Sequence, residues 1–213
     1  MGREMRIVVA GQHHSDPAHG DRRKLPADRG RMITLALDTS TAVGSVALLD
    51  EDRPVAEATF QRGELFPAIR RVLGHRRPDL IAVGVGPGSF TGIRVGLAAA
   101  KGLALPTGIP VRAASSFDAL AVTVAPQMPA AFDRLCVWSD ARRGEIYHAL
   151  YDRAGRPVVA CRIGVVADLP DNAWRVSPES APCRWAVAVG RLARTSDLKL
   201  EPLYLRPTQY RKL

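Results

Sequence analysis

A glycine-rich loop, residues 84–94, carries the residue types best suited to binding chemistry. A predicted strand runs into this loop and a predicted helix leaves it, so backbone N–H groups at the helix N-terminus are placed to bind a phosphate or another anion. Ser89 and Thr91 are placed either to cap the helix or to donate to that anion. Together with Asp38, Gly86 and Gly88 they form a candidate cofactor loop, although a tight structural turn explains the spacing equally well.

The loop differs from the common nucleotide-binding and catalytic motifs. No Gly-Lys-Ser/Thr follows at the spacing of a Walker A loop, and Thr91 stands where a dinucleotide fingerprint has its third glycine. A nucleophile elbow needs glycine two residues before the serine, and Pro87 stands two residues before Ser89. The sequence therefore predicts no bound cofactor.

Candidate metal ligands are sparse after residue 32. The two histidines there, His75 and His148, are far apart in sequence, whereas an iron-type site needs two histidines one helical turn apart plus a carboxylate. Asp140 and Arg142 are interpreted as a structural pair or a partner contact. We therefore expect neither a metal nor catalytic residues.

Composition places the chain among ordinary globular proteins. It has 213 residues, 46% of them hydrophobic, and a net charge of +9. The charge suits a polyanionic partner such as RNA, but an Arg-rich composition from genomic bias explains it equally well. Three widely spaced cysteines predict reduced thiols and a cytoplasmic location. No apolar run reaches the roughly 20 residues that cross a bilayer.

Within the first 31 residues, the stretch from His13 to Lys24 is polar and rich in turn formers, without an apolar period. This pattern predicts a disordered basic extension. Two alternatives stay open. The segment is upstream sequence translated from a misplaced start, since Met32 opens a clean strand, or it is an arm that contacts RNA.

From residue 32 the apolar pattern predicts the element order βββαβαβα. The first lobe is expected to have strands at 33–37, 44–49, 55–60, 80–83 and 111–113, and helices at 64–73, from the glycine-rich loop to about 105, and after Ser115. A second meander is expected at 135–138, 145–151 and 157–163, followed by one helix suggested by Trp174, Trp185 and residues 187–192. This order fits a mixed sheet with an antiparallel flap.

The long helix after the loop carries a stripe of small residues. Gly92, Gly96, Ala100 and Ala104 recur every fourth position, so one helix face is nearly free of side chains. Such a face lets another element approach closely. The stripe either packs into its own lobe or meets a helix of another subunit.

Several motifs occur in a fixed order and cover most of residues 32–151 and then only the last dozen. They are Asp38-Thr39-Ser40, Gly86-Pro87-Gly88-Ser89-Phe90-Thr91-Gly92-Ile93-Arg94-Val95-Gly96, Ser115-Ser116-Phe117-Asp118-Ala119-Leu120, Asp140-Ala141-Arg142-Arg143-Gly144-Glu145-Ile146-Tyr147 and Pro202-Leu203-Tyr204-Leu205-Arg206. In this order they resemble the motifs of the TsaB (YeaZ-type) family.

The resemblance implies an α/β fold of two ribonuclease-H-like lobes from the actin and sugar-kinase (ASKHA) superfamily. The first lobe would span 32–133 and a shortened second lobe 134–213. The implied role is a non-catalytic scaffold that pairs with the catalytic subunit TsaD and the ATPase TsaE. That complex puts a threonylcarbamoyl group on the adenosine beside the anticodon of ANN-decoding tRNAs. The alternative is an active small-molecule kinase or glycopeptidase-like enzyme.

The resemblance also implies a dimer surface on the first-lobe helices. The predicted interface residues are Leu65, Ile69, Gly92, Gly96, Ala100 and Ala104. A homodimer in isolation, tRNA contact through the complex and the absence of a membrane partner are further expectations.

Three features depart from the family pattern. Ser40 stands where the superfamily's first phosphate loop has glycine, which impairs close approach to ATP phosphates. The first helix begins at residue 64 without the His-Ser segment usual before it. Residues 152–201 lack the glycine-bearing segment and the extra helices that the family pattern has there, so contacts with TsaE are expected to be altered or lost.

Overall fold

The structure, a computed structural model, describes residues 31–181 and 184–205. Apart from Arg31, the predicted N-terminal extension lies outside the described residues. Two mixed sheets form the framework, so the predicted α/β fold of two ribonuclease-H-like lobes is confirmed. The element order βββαβαβα of the first lobe is confirmed as well.

The first sheet has five strands in the order β3-β2-β1-β4-β5. Strand β1 pairs antiparallel with β2 and parallel with β4, which combines the predicted flap with a parallel half. The three inner strands β2, β1 and β4 are buried on both faces, and this explains their largely apolar sequences. The strand bounds are β1 Ile33–Asp38, β2 Gly44–Asp50, β3 Arg53–Phe60, β4 Leu80–Gly84 and β5 Val111–Ala114.

Helices α1 (Leu65–Leu73) and α2 (Phe90–Ala104) cover one face of this sheet. Helix α1 turns its apolar residues at 65, 68, 69 and 72 inward and ends at Gly74, whose φ of 56° is left-handed. The side chain of Ser89 caps α2. Both helices pack with the sheet into one hydrophobic core.

The second sheet has four strands in the order β8-β7-β6-β9. Strands β6, β7 and β8 form the predicted meander. The assignment of Trp174 to a helix was wrong, because Trp174 begins strand β9, which pairs parallel with β6. The bounds are β6 Leu135–Arg142, β7 Glu145–Tyr151, β8 Pro157–Gly164 and β9 Trp174–Val176.

Helices α3 (Ser116–Val124) and α4 (Ala186–Ala193) lie between the two sheets and share one core with them. Although α4 follows the second sheet in sequence, it packs on the first. A Cβ added at Gly190 would lie 2.8 Å from Leu49 Cδ1 and 3.1 Å from Ala36 Cβ. The lobe boundary at 133/134 stays a prediction, and α4 crosses back over it.

The chain then returns to the glycine-rich loop. The N–H of Leu203 donates to the carbonyl of Val85 at 2.9 Å, and Leu200 and Leu203 pack against the core beneath α1 and α2. Within residues 31–181 and 184–205, no helix has both the length and the apolarity needed to cross a membrane.

Candidate functional site

The glycine-rich loop is built around the cap of α2. Ser89 Oγ accepts a hydrogen bond from the N–H of Gly92 at 3.2 Å, which is the capping role predicted for it. The N–H of Ser89 donates to the carbonyl of Ser40 at 2.7 Å. Gly88 lies so close to that turn that a Cβ would stand 2.4 Å from Ser40 O. The loop is therefore fastened directly to the turn after β1.

Asp38 lies at the end of β1 and is 1% exposed. Its Oδ1 accepts from the N–H and the hydroxyl of Ser40 at 2.8 and 2.6 Å, and its Oδ2 accepts from Ser116 Oγ at 2.6 Å. Ser116 Oγ in turn accepts from the N–H of Gly86 at 3.0 Å. The carboxylate thus joins the turn after β1 to the start of α3 and, through Ser116, to the glycine-rich loop.

A cleft of about 690 Å³ lies between the two lobes. Of the predicted candidate loop, Gly88, Ser89 and Thr91 line the cleft, whereas Asp38 and Gly86 do not. From the first lobe the cleft is lined by Ser40, Thr41, Ala42, Arg62, Gly88, Ser89, Phe90 and Thr91, and from the second by Ser139, Asp140, Ala141, Arg142, Tyr147, Pro178 and Glu179.

Charges of both signs line the cleft. Arg142 pairs with Asp140 at 3.5 Å while both side chains stay largely exposed, so the pair is weakly held. Arg62 lies on the first-lobe side and Glu179 on the opposite side. Ser139 and Arg62 were missed by the sequence analysis. A single hydroxyl in a strand and a single loop arginine give no pattern until the fold brings them together.

Five of the six predicted interface residues are buried inside their own lobe, and for these five the prediction is corrected. Leu65, Ile69, Ala100 and Ala104 are at most 8% exposed and Gly96 is buried, all within their own lobe, and Gly92 is half-buried. A Cβ added at Gly96 would lie 2.3 Å from Thr39 Oγ1. The small-residue stripe therefore faces the lobe's interior, which was the other interpretation left open.

The opposite faces of α1 and α2 carry large exposed apolar side chains. Phe66 is 56% exposed, Phe90 55%, Val95 48% and Leu105, the residue after α2, 85%. We call these four residues the outer apolar face. The guanidinium of Arg94 lies 3.6 Å above the Phe90 ring and donates to Tyr204 Oη at 2.9 Å, which orders the cleft end of this surface.

The two histidines lie in different environments. His75 is exposed, whereas His148 is 2% exposed and its Nε2 accepts from Arg162 Nε at 3.3 Å. Burial lowers the pKa of His148, and the charge of Arg162 lowers it further. Across the described part of the chain, no three His, Cys, Asp or Glu side chains are grouped closely enough to hold a metal ion.

The chain is similar to proteins named for the biosynthesis of threonylcarbamoyladenosine on tRNA. A family model described as TsaD, tRNA N6-adenosine threonylcarbamoyltransferase, matches residues 71–172. Over 131 residues the chain is 39% identical to the tRNA threonylcarbamoyladenosine biosynthesis protein TsaB of Bacillus subtilis, covering 56% of this chain and 55% of that protein. The Escherichia coli protein of the same name is 35% identical over 131 residues, with 57% and 56% covered.

The chain is also similar in fold to a solved structure. YeaZ from Pseudomonas aeruginosa superposes with a TM-score of 0.63 at 29% identity, covering 82% of this chain and 100% of that one. By sequence, the chain spans about half the length of the curated relatives it matches.

Proposed function

The chain is a TsaB (YeaZ-type) protein, and on that premise we propose that it is a non-catalytic scaffold subunit in the biosynthesis of threonylcarbamoyladenosine on tRNA. Its principal partner is a TsaD-type catalytic subunit. A TsaE-type ATPase and the tRNA join through the assembled complex, which works in the cytoplasm.

The outer apolar face carries the pairing part of this proposal. Four large apolar side chains on α1, on α2 or directly after α2 are about half exposed or more. Exposed apolar side chains that form a patch mark sites of protein contact. Aromatic and arginine side chains are the types that contribute most to protein–protein contacts, and Arg94 is already ordered over Phe90. We therefore place the subunit contact on the outward faces of α1 and α2. The same face would allow self-association when the partner is absent.

The contacts of Asp38 support the non-catalytic part. A kinase of this superfamily needs a free carboxylate at the nucleotide, whereas all three hydrogen bonds accepted by Asp38 come from its own lobe. Gly84 lies close beside the carboxylate, since a Cβ there would stand 1.9 Å from Asp38 Oδ2. Asp38 is thus held by structural contacts within its own lobe.

Pairing is tested with two valines of matched exposure. Val95 lies on the outer apolar face and is 48% exposed, and Val158 lies on β8 of the other lobe and is 49% exposed. We expect Val95→Asp to weaken binding of the full chain to the TsaD-type subunit from the same genome at least about tenfold, because a charge is buried at the contact. Val158→Asp should leave the affinity unchanged.

Binding is measured by isothermal titration calorimetry, and the thermal midpoint of each free variant checks that it is folded. Equal affinities of the two variants would mean that α2 is not part of the subunit contact. If the unmodified chain does not bind the TsaD-type subunit, the proposed pairing is wrong. ATP turnover by the isolated chain would instead favour the kinase alternative.

A further inference from the structure

The end of the first lobe that lies opposite the glycine-rich loop gathers several chain elements. Strands β1, β3, β4 and β5 run in the same direction, so they all begin at this end. Helix α1 leads from β3 to the start of β4, and α2 leads from β4 to the start of β5, so both helices end here. Asp38 and the glycine-rich loop follow the other ends of β1 and β4.

Six exposed basic residues lie at this end of the lobe, and we call them the basic patch. Each is in the first two residues of a strand, in the last turn of a helix or in the connection from α1 to β4. They are Arg53, Arg70, Arg76, Arg77, Lys101 and Arg112. Arg53 and Arg112 lie on the two edge strands, so the patch spans the whole sheet. Neighbouring strands lie about 4.8 Å apart, which makes the patch roughly 19 Å wide.

The carboxylates at the same end already have partners outside the patch. In the turn between β2 and β3, Asp50 pairs with Arg31 at 3.3 Å, and Glu51 and Asp52 each pair with Arg194 at 2.8 Å. Asp79 Oδ2 accepts from the N–H of Ile33 at 2.8 Å. Among residues 31–181 and 184–205, no ion pair involves a residue of the basic patch. Its positive charges are therefore left for a partner.

Helix stability accounts for only part of the patch. A cation in the last turn of a helix stabilises the helix dipole, which explains Arg70 and Lys101. The other four residues lie in strands or in the connection from α1 to β4, where that role does not exist. An Arg-rich composition explains the number of arginines in the chain, but not their grouping apart from carboxylates.

We propose that the basic patch binds the phosphate backbone of an RNA, so that this chain itself contacts the tRNA in the complex; this inference rests on the proposed function. Five of the six residues are arginines. A planar guanidinium can donate two parallel hydrogen bonds to one phosphate. An anionic bilayer is the less favoured partner, because membrane-binding basic residues line the polar face of one amphipathic helix. Those of the patch come from two strands, two helix ends and one connection.

The test measures binding of the full chain to a fluorescein-labelled tRNA transcript by fluorescence anisotropy, without the partner subunit. Salt is varied from about 50 to about 200 mM. We expect the logarithm of the association constant to fall linearly with the logarithm of the salt concentration, because each contact with a phosphate releases counterions. Binding that does not change with salt overturns the proposal.

The matched variants each remove two positive charges. Arg76→Gln with Arg77→Gln alters the basic patch, whereas Arg134→Gln with Arg156→Gln alters two exposed arginines of the second lobe. At about 100 mM salt the first double variant should weaken tRNA binding about tenfold and reduce the salt slope by about 2, and the second should change little. The thermal midpoint of each variant checks that it is folded. Equal losses in both would show that only the net charge of the chain matters, and the proposal would be wrong.

Vesicles of phosphatidylcholine and phosphatidylserine provide the membrane arm of the test. Cosedimentation that the Arg76 and Arg77 double variant abolishes, together with no binding to tRNA, would assign the patch to a membrane and overturn the RNA proposal. Failure here is distinct from failure of the pairing, because the calorimetry with the TsaD-type subunit contains no RNA. A chain that pairs but does not bind tRNA contradicts only the role of the basic patch.

Discussion

Replacing Gly96 by alanine tests the inward orientation of the small-residue stripe on α2. The added Cβ would stand 2.3 Å from Thr39 Oγ1 and 3.3 Å from Leu37 Cδ1. Thr39 Oγ1 donates to the carbonyl of Gly92 at 2.7 Å, so the hydroxyl cannot move away without losing that bond. The helix and the turn after β1 must therefore separate or rearrange.

The expected loss of unfolding free energy is about 1–3 kcal/mol. It combines roughly 1 kcal/mol for the hydrogen bond and about 1–3 kcal/mol for overpacking, offset by about 1 kcal/mol gained in helix propensity. Gly102 in the same helix is the control, because it is exposed and a Cβ there meets nothing within 4 Å. Gly102→Ala should stabilise the chain by up to about 1 kcal/mol.

Urea unfolding of the full chain, followed by far-UV circular dichroism, measures both variants. If Gly96→Ala is as stable as Gly102→Ala, the stripe is not packed inside its own lobe and the assignment of the subunit contact to the opposite helix face fails.

Further predictions concern protonation and charge. Because burial lowers the pKa of His148 in the folded chain, the unfolded chain binds the proton more readily. The free energy of unfolding should therefore be constant well above pH 6.5 and fall as the pH drops through that value. In chemical unfolding, His148→Gln should reduce the difference in unfolding free energy between pH 7.5 and pH 5.5, and His75→Gln should not. Burial raises the pKa of Cys136 to about 11, so its thiol should resist iodoacetamide at pH 8 until denaturant is added, as mass spectrometry of its peptide can show. Hydrogen bonds from the backbone and from Arg194 lower the pKa of Glu51, so the stabilisation from this pair should be present near neutral pH and decline as Glu51 is protonated in acid. In thermal unfolding, Arg194→Gln should therefore lower the midpoint at pH 7 more than at pH 3.

The first lobe could be predicted from sequence because each of its elements has a local signal. The buried strand β1 is a mostly apolar run in the sequence. Helix α1 has a helical apolar period that ends at a glycine, and α2 begins after a serine cap. These signals depend on neighbours along the chain. They place the element bounds within about two residues.

What the sequence analysis missed depends on distant contacts. Strand β9 has three residues and exists because β6 offers a free edge for parallel pairing. The small-residue stripe on α2 could be recognised in the sequence, but small residues permit close approach by any neighbouring element. The position of Thr39 beside Gly96 in the folded chain shows that the neighbour is the turn after β1. Ser139 gave no signal at all, because its lack of a partner is a property of the assembled cleft.

The return of α4 to the first sheet has a consequence for synthesis on the ribosome. Strand β5 ends at residue 114, whereas α4, which covers one sheet face at Ala36 and Leu49, begins only at residue 186. At roughly 5–20 residues per second, translation leaves that face bare for several seconds. The nascent first lobe is therefore expected to expose an apolar surface that chaperones can bind until α4 has been synthesised.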